Sequence, residues 1–292
     1  MAAHGYDTMN QTLRALARTD LGRYLLMPYR AQKALASRQR PLKIWRWLLD
    51  SREFTNYTYD YSELGEAAAL EIASLTSGIG LEQIQRFRNE LREDQRLRDH
   101  YATIARDPRY HNILDSRMRL SRQLIYYLFV RALKPRIVVE AGCDRGLGSL
   151  LISNALMRNE AEDGTAGHLH TIDLNPEAGF IFSGPYARHG TLHTVSSIQF
   201  LDSFPHKIDF FIHDTANDDA HVRKQLESLG HALTPASIVM TTWFSAGFVD
   251  FCHARQLRFL SFAEESKDHW YRGCNLGLAF SQFGAKSVSD PQ

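Results

Sequence analysis

The chain has 292 residues, 44% hydrophobic and 23% charged, the balance of a globular protein with material for one large or two modest domains. No run of about 18 apolar residues occurs, which excludes a transmembrane helix, and the opening stretch MAAHGYDTMNQTLRALARTD lacks the apolar centre of a secretory signal. Net charge is only +1 but uneven: residues 1–135 carry 22 Lys/Arg against 15 Asp/Glu, and residues 136–292 carry 12 against 18.

The basic excess is densest in the first 52 residues, where ten basic and three acidic side chains stand among Leu13, Leu16, Ala17, Leu21, Tyr24 and Leu25. That interleaving at helical spacing reads as the outer face of packed helices, or docking on an acidic neighbour subunit, ahead of a nucleic-acid arm. Residues 8–50 form two or three short helices broken near Pro28 and Pro41. The aromatic stretch FTNYTYDY, residues 54–61, has no clear period. Helices over 63–76 and 81–106 follow from apolar positions three and four apart: Leu64, Ala67, Ala68, Ile72 and Leu75, then Ile84, Phe87 and Leu91. A last front helix over about 117–133 stops at Lys134-Pro135.

The character changes at Arg136. RIVVEAG is a short β-branched run ending in glycine, which reads as a buried strand. A helix over about 147–159 follows, then HLHTIDL and TLHTVS as strands two and three. KIDFFIHD is a fourth strand before a helix over about 218–233. SIVMTTW is a fifth before a helix near 246–255, and RFLSFAE and NLGLAFSQ close the series. Strands alternating with helices imply a parallel, doubly wound sheet. Only a loop holding His269-Trp270-Tyr271 joins the last two strands, so these pair antiparallel at the edge. The expected architecture is an all-helical region over 1–115, serving as lid or oligomerisation element, followed by an α/β Rossmann-like domain of seven strands over 116–292.

The turn VVEAGCDRGLGS is the most informative segment, because ligands of doubly wound sheets sit beyond the carboxyl ends of the strands. Gly142 and Gly146 permit close passage of backbone and ligand. A dinucleotide fingerprint fails on spacing, since Leu151 stands where its third glycine belongs, and no phosphate-binding G-x-x-x-x-G-K-[ST] is present. What remains is Glu140-x-Gly142-x-x-x-Gly146, which resembles the first motif of class I S-adenosylmethionine-dependent methyltransferases. Asp173, ending the second strand, matches the acid that binds the ribose hydroxyls. Ser196-Ser197 stands where adenine is held, without the common Asp. Asp214, ending the fourth strand, matches the motif near the transferred methyl. The resemblance covers about 136–282 and extends to bacterial small-molecule and sugar O-methyltransferases of the macrolide-sugar type.

That resemblance implies S-adenosylmethionine as cofactor, held by Glu140, Gly142, Gly146, Asp173, Ser197 and Asp214, and a small-molecule hydroxyl as acceptor. Metal-dependent members hold Mg²⁺ between carboxylates at the ends of strands four and five. Here Asn217 takes the expected base position, and Thr241 and Thr242 stand where acids belong. The expectation is therefore no metal, although Asp218 and Asp219 are close enough in sequence to reach in. His213 and His269 are the candidate bases, with Asp214 as partner. Because strand side chains alternate, one of His213 and Asp214 points away from the site, and Asp214 is favoured. Tyr57, Tyr59, Tyr186, Trp270 and Tyr271 are candidates for an aromatic wall against substrate. Cys143 reads as small-residue packing.

The missing base and acids leave an alternative, a protein of the same fold that binds the cofactor but rearranges its substrate or acts as a noncatalytic partner. Nucleic-acid methylation, resting only on the basic front, ranks last. Cys143, Cys252 and Cys274 are too few and scattered for a disulfide framework or a closed zinc site, so a cytoplasmic setting is expected. No membrane partner is expected, and the apolar faces of the front helices favour a homodimer or larger homo-oligomer.

Overall fold

A computed structural model describes residues 16, 18–35, 41–54 and 57–281. Its helices are α1 (Asp20–Leu25), α2 (Met27–Leu35), α3 (Pro41–Asp50), α4 (Glu63–Ser77), α5 (Leu81–Glu93), α6 (Gln95–Arg106), α7 (Gln123–Leu133), α8 (Leu147–Asp163), α9 (Ser197–Ser203), α10 (Asp219–Leu229) and α11 (Ala246–Ala254). Its strands are β1 (Ile137–Ala141), β2 (His168–Asp173), β3 (Gly190–Thr194), β4 (Phe210–His213), β5 (Ile238–Thr241), β6 (Arg258–Ala263) and β7 (Asn275–Phe280). Leu13, Ala17 and the front of the expected 8–50 helical stretch lie outside the described residues, as do Thr55 and Asn56.

The chain divides into two compact units that interleave along the sequence, where a single boundary after residue 115 was expected. One comprises Met1–Glu63, Asp94–Ser121 and Glu265–Gly273; the other comprises Leu64–Glu93, Arg122–Glu264 and Cys274–Gln292.

In the first unit, separate helices meet near Pro28 and begin at Pro41, as the sequence predicts, and each proline lies in the first turn of its helix, where a missing N–H costs no hydrogen bond. Two buried carboxylates fix the irregular segment after α3. Asp115 accepts from the Arg52 amide at 2.7 Å, from the Ser51 hydroxyl at 3.1 Å and from Arg119 at 2.6 Å. Glu53 accepts from the Thr58 amide and hydroxyl. The helix expected over 81–106 is two helices. Asp94 leaves helical geometry and its carboxylate accepts from the Leu97 amide at 2.9 Å, a cap that starts α6 afresh. The helix expected from 117 begins at Gln123, after an irregular stretch.

In the second unit, one seven-stranded sheet has the order β3-β2-β1-β4-β5-β7-β6. The first five strands run parallel, and β7 lies antiparallel to both β5 and β6. This is the Rossmann-like, mostly parallel seven-stranded architecture expected from the sequence. One face buries Val139, Ala141, Phe211 and Val239 against Leu201 of α9, Val222 and Leu226 of α10, and Phe248 and Phe251 of α11. The alternate residues face the other side, where Phe210 meets Phe129 of α7 at 5.6 Å between ring centroids. The helix α9 and a 3₁₀ turn at Gly184–His189 carry no long apolar period and were not anticipated.

Candidate functional site

The carboxyl ends of β1, β2 and β4 adjoin, and each delivers a carboxyl group: Glu140, Asp173 and Asp214. The turn between β1 and α8 passes beneath them. Gly142 and Gly146 have φ of 96° and 94°, a region open to glycine. A Cβ on Gly142 would stand 1.9 Å from the Asp214 carbonyl oxygen, and one on Gly146 would stand 2.9 Å from the Gly179 Cα. Both glycines are thus required by the approach of protein backbone to protein backbone.

Asp173 organises that turn. One carboxylate oxygen accepts from the amides of Cys143 at 3.1 Å and Asp144 at 2.9 Å, and the other accepts from the Asn175 amide at 2.8 Å. The group remains partly exposed. Cys143 is buried beside Ser149, and burial pushes its thiol far up, so it is no nucleophile.

Glu140 lies fully buried under the first turn of α8. It accepts hydrogen bonds from the Ser149 hydroxyl and, at 2.9 Å, from the Thr171 hydroxyl. Burial pushes its carboxyl up to about 8.

Asp214 is held by a set of donors that the motifs did not announce. Arg122 grips it with two nitrogens, Nε at 3.1 Å from Oδ2 and Nη2 at 3.0 and 3.2 Å from the two oxygens. The Tyr126 hydroxyl donates at 3.1 Å and the Thr242 hydroxyl at 2.9 Å. Arg122 and Tyr126 are four apart at the start of α7, so they share one helical face. Polar groups at that spacing in the apolar run QLIYYLFV were the available signal.

The donor set does not suit Mg²⁺. Where β4 and β5 end, Asp214 is the carboxylate present, β5 offering Thr241 and Thr242, and both Asp214 oxygens are engaged. The Thr241 hydroxyl donates to the Trp243 carbonyl at 3.1 Å. Asn217 is exposed. Asp218 caps its own helix through the Ala220 amide, and Asp219 holds the Gly247 amide at 2.7 Å and Arg223 at 3.2 Å. Among the described residues no group of three His, Cys, Asp or Glu could hold a metal ion.

The candidate bases fare differently from Asp214. His213 is wholly buried on the opposite face of the sheet, its Nδ1 bonded to Gln225 of α10 at 2.5 Å. Gln225 in turn donates to the Ser197 hydroxyl at 2.5 Å, so Ser197 and His213 end one buried chain. Burial lowers the His213 pKa. Strand alternation separates it from Asp214 as expected.

His269 belongs to the first unit. Its Nδ1 accepts from the Tyr271 amide at 3.0 Å, and burial lowers its pKa to about 4. It sits in an aromatic cluster with Tyr59, Trp47 and Trp270, ring centroids 5.8–6.2 Å away. Tyr57 and Tyr271 join the same cluster, Tyr57 lying 4.9 Å from Trp270. Tyr186 does not; it is buried in the second unit, where its carbonyl accepts from the Ser153 hydroxyl.

A family described as a methyltransferase domain matches residues 139–241, from β1 through β5. The resemblance to class I methyltransferases is borne out over that stretch. No curated protein matches the chain. Among solved structures, the chain is similar to the O-methyltransferase TomG of Streptomyces achromogenes, involved in tomaymycin synthesis and in complex with SAM. That pair shares 16% identity at a TM-score of 0.47, covering 65% of this chain and 91% of the other. An O-methyltransferase from Bacillus cereus, in complex with SAH, matches at 12% identity and a TM-score of 0.49, covering 68% and 96%. The SAH-bound methyltransferase PaMTH1 of Podospora anserina matches at 15% identity and 0.44, covering 69% and 96%.

Proposed function

We propose that the chain is an S-adenosylmethionine-dependent methyltransferase that methylates a hydroxyl of a small molecule, a sugar or other secondary metabolite, without an obligatory metal. The observation that carries this reading is the trio of carboxyl groups at adjoining strand ends, Glu140, Asp173 and Asp214, with the glycine turn beneath them. Of these, the partly exposed Asp173 carboxylate is the one that accepts from ribose hydroxyls and repels a diphosphate, since Glu140 is enclosed and Asp214 is paired with Arg122.

The bound cofactor supplies a methyl group already activated by its sulfonium. The chain's own task is then to position the acceptor and manage its proton. Asp173, fixed by three backbone amides, is rigidly placed to accept from a ribose diol. Asp214, with five side-chain hydrogen bonds from three residues, is an anchor that holds Arg122 and Tyr126 at the crevice and not a free base. The Arg122 guanidinium supplies the positive charge that a divalent ion supplies in metal-dependent relatives. With His213 facing α10 and the His269 Nδ1 occupied, acceptors whose hydroxyl ionises readily are favoured. The aromatic wall expected of Tyr57, Tyr59, Trp270 and Tyr271 is instead a packed cluster within the first unit, with Tyr59 and Trp270 fully buried.

Radiolabelled S-adenosylmethionine, offered with a panel of phenols and glycosides, tests the reading: labelled product is expected, most rapidly from the phenols. The engagement of Asp214 by Arg122, Tyr126 and Thr242 favours one second reading, a cofactor-binding protein that transfers no methyl. Cofactor that binds but survives the entire acceptor panel would identify it. Exposed Leu42, Trp45 and Leu49 on α3 support self-association, which sedimentation would register as a dimer or larger species. No helix among the described residues is long and apolar enough to cross a membrane.

A further inference from the structure

Other weakly exposed acids of the second unit are paired with cations. Glu66 pairs with Arg88 and Arg92, and Asp214 with Arg122. Glu140 differs. It is 1% exposed, and its hydrogen-bond partners among the described residues are the two hydroxyls of Ser149 and Thr171, both on Oε2. Its Oε1 lies against Gly148, where an added Cβ would stand 2.0 Å away. The titratable and charged groups around it are Asp214 beyond β4, Arg122 and Tyr126 from the start of α7, and Cys143 in the turn. Arg122 is the sole cation of these; its charge opposes the burial of Glu140 only in part, and its hydrogen bonds to a carboxylate go to Asp214. A carboxylate enclosed with no cation bonded to it is costly, and protonation is the ordinary relief.

We propose that Glu140 is a charge switch for the cationic end of the ligand: it carries a proton in the unliganded protein and releases it to solvent when a sulfonium-bearing ligand enters the crevice. The inference rests on the methyltransferase reading and deepens it. No bond other than Oε–H changes, and the proton goes to buffer. S-adenosylmethionine carries one positive charge more than its demethylated product, so it draws the proton off more completely. After methyl transfer the sulfonium is gone, the carboxyl takes a proton back, and the product is held less tightly than the cofactor was. Burial, which raises the carboxyl to about 8, keeps the group neutral near pH 7 and makes the switch available.

Calorimetric titration near pH 7 in phosphate, HEPES and Tris, whose ionisation enthalpies differ, measures protons exchanged on binding. The expected result is release of about one proton per S-adenosylmethionine, less for S-adenosylhomocysteine, and an association constant for S-adenosylmethionine that rises roughly tenfold from pH 6 to pH 7. Glu140→Gln removes the buffer dependence and flattens the pH profile of S-adenosylmethionine binding. Thr171→Val, which deletes a donor to the ionised form, moves the rise in affinity to higher pH and keeps a readout should the Gln variant fail to fold. Binding heats that are identical in every buffer for the unaltered protein overturn the inference and leave the methyltransferase reading standing. No binding of either compound overturns both.

Discussion

Arg122 and Asp214, 92 positions apart in sequence, meet in a forked ion pair at the carboxyl edge of the sheet, with Nη2 3.0 Å from Oδ2. Their side chains are 6% and 16% exposed, so water screens the pair poorly. Removing one member leaves the other charge buried alone. Arg122→Met is expected to cost about 3–5 kcal/mol, and adding Asp214→Asn to recover part of that loss. Chemical denaturation of the two single variants and the double variant checks this, and a cost near zero for each single change would show that the pair contributes nothing.

The same pairing bears on metal dependence. Since both Asp214 oxygens are engaged by Arg122, Tyr126 and Thr242, EDTA is expected to leave methyl transfer unchanged and added Mg²⁺ not to stimulate it. Activity lost to chelator and restored by Mg²⁺ would mean that the pair opens to admit the ion.

Glycine is needed at 142 for two reasons at once, its φ of 96° and the Asp214 carbonyl 1.9 Å from any Cβ. Gly164 shares the positive φ, at 77°, but has open space around the Cβ position. Gly164→Ala is expected to cost about 1–2 kcal/mol of backbone strain, and Gly142→Ala considerably more, with loss of soluble protein. Equal thermal shifts for the two would remove the steric part of the argument.

Acid should weaken the first unit through His269. Burial holds its pKa at about 4, below the ordinary 6.5, so the unfolded chain binds a proton over that interval and the folded one does not. Its contribution is complete above about 6.5 and is lost as pH falls toward 4, up to about 3 kcal/mol. Urea titrations followed by tryptophan fluorescence, with Trp270 stacked on His269, would register the decline. In His269→Phe the same pH range should be flatter.

Much of the second unit was legible because its signals are local. The alternation of apolar strands and helices predicts the parallel series, and the short HWY loop predicts the antiparallel pair β6–β7. Period-two alternation separates His213 from Asp214 without any coordinates. The break at Asp94 was missed because apolar spacing continues across it, although an acid before Gln95 is a readable cap. Arg122 was missed for a different reason: its partner lies across the fold, and no spacing rule reaches that far. Tyr186 looked like its aromatic neighbours in composition, yet its 3₁₀ turn buries it in another unit. The interleaving of 64–93 and 265–273 between units is likewise a tertiary fact that hydrophobic period cannot express.

The central claim is that the crevice at the glycine turn takes an adenosyl amino acid and not a nucleotide diphosphate. Side-by-side calorimetric titrations with S-adenosylhomocysteine and NADH address it most directly. A saturable isotherm for the first and none for the second is the expected outcome; clean saturation by NADH with no heat from adenosylhomocysteine would contradict the account.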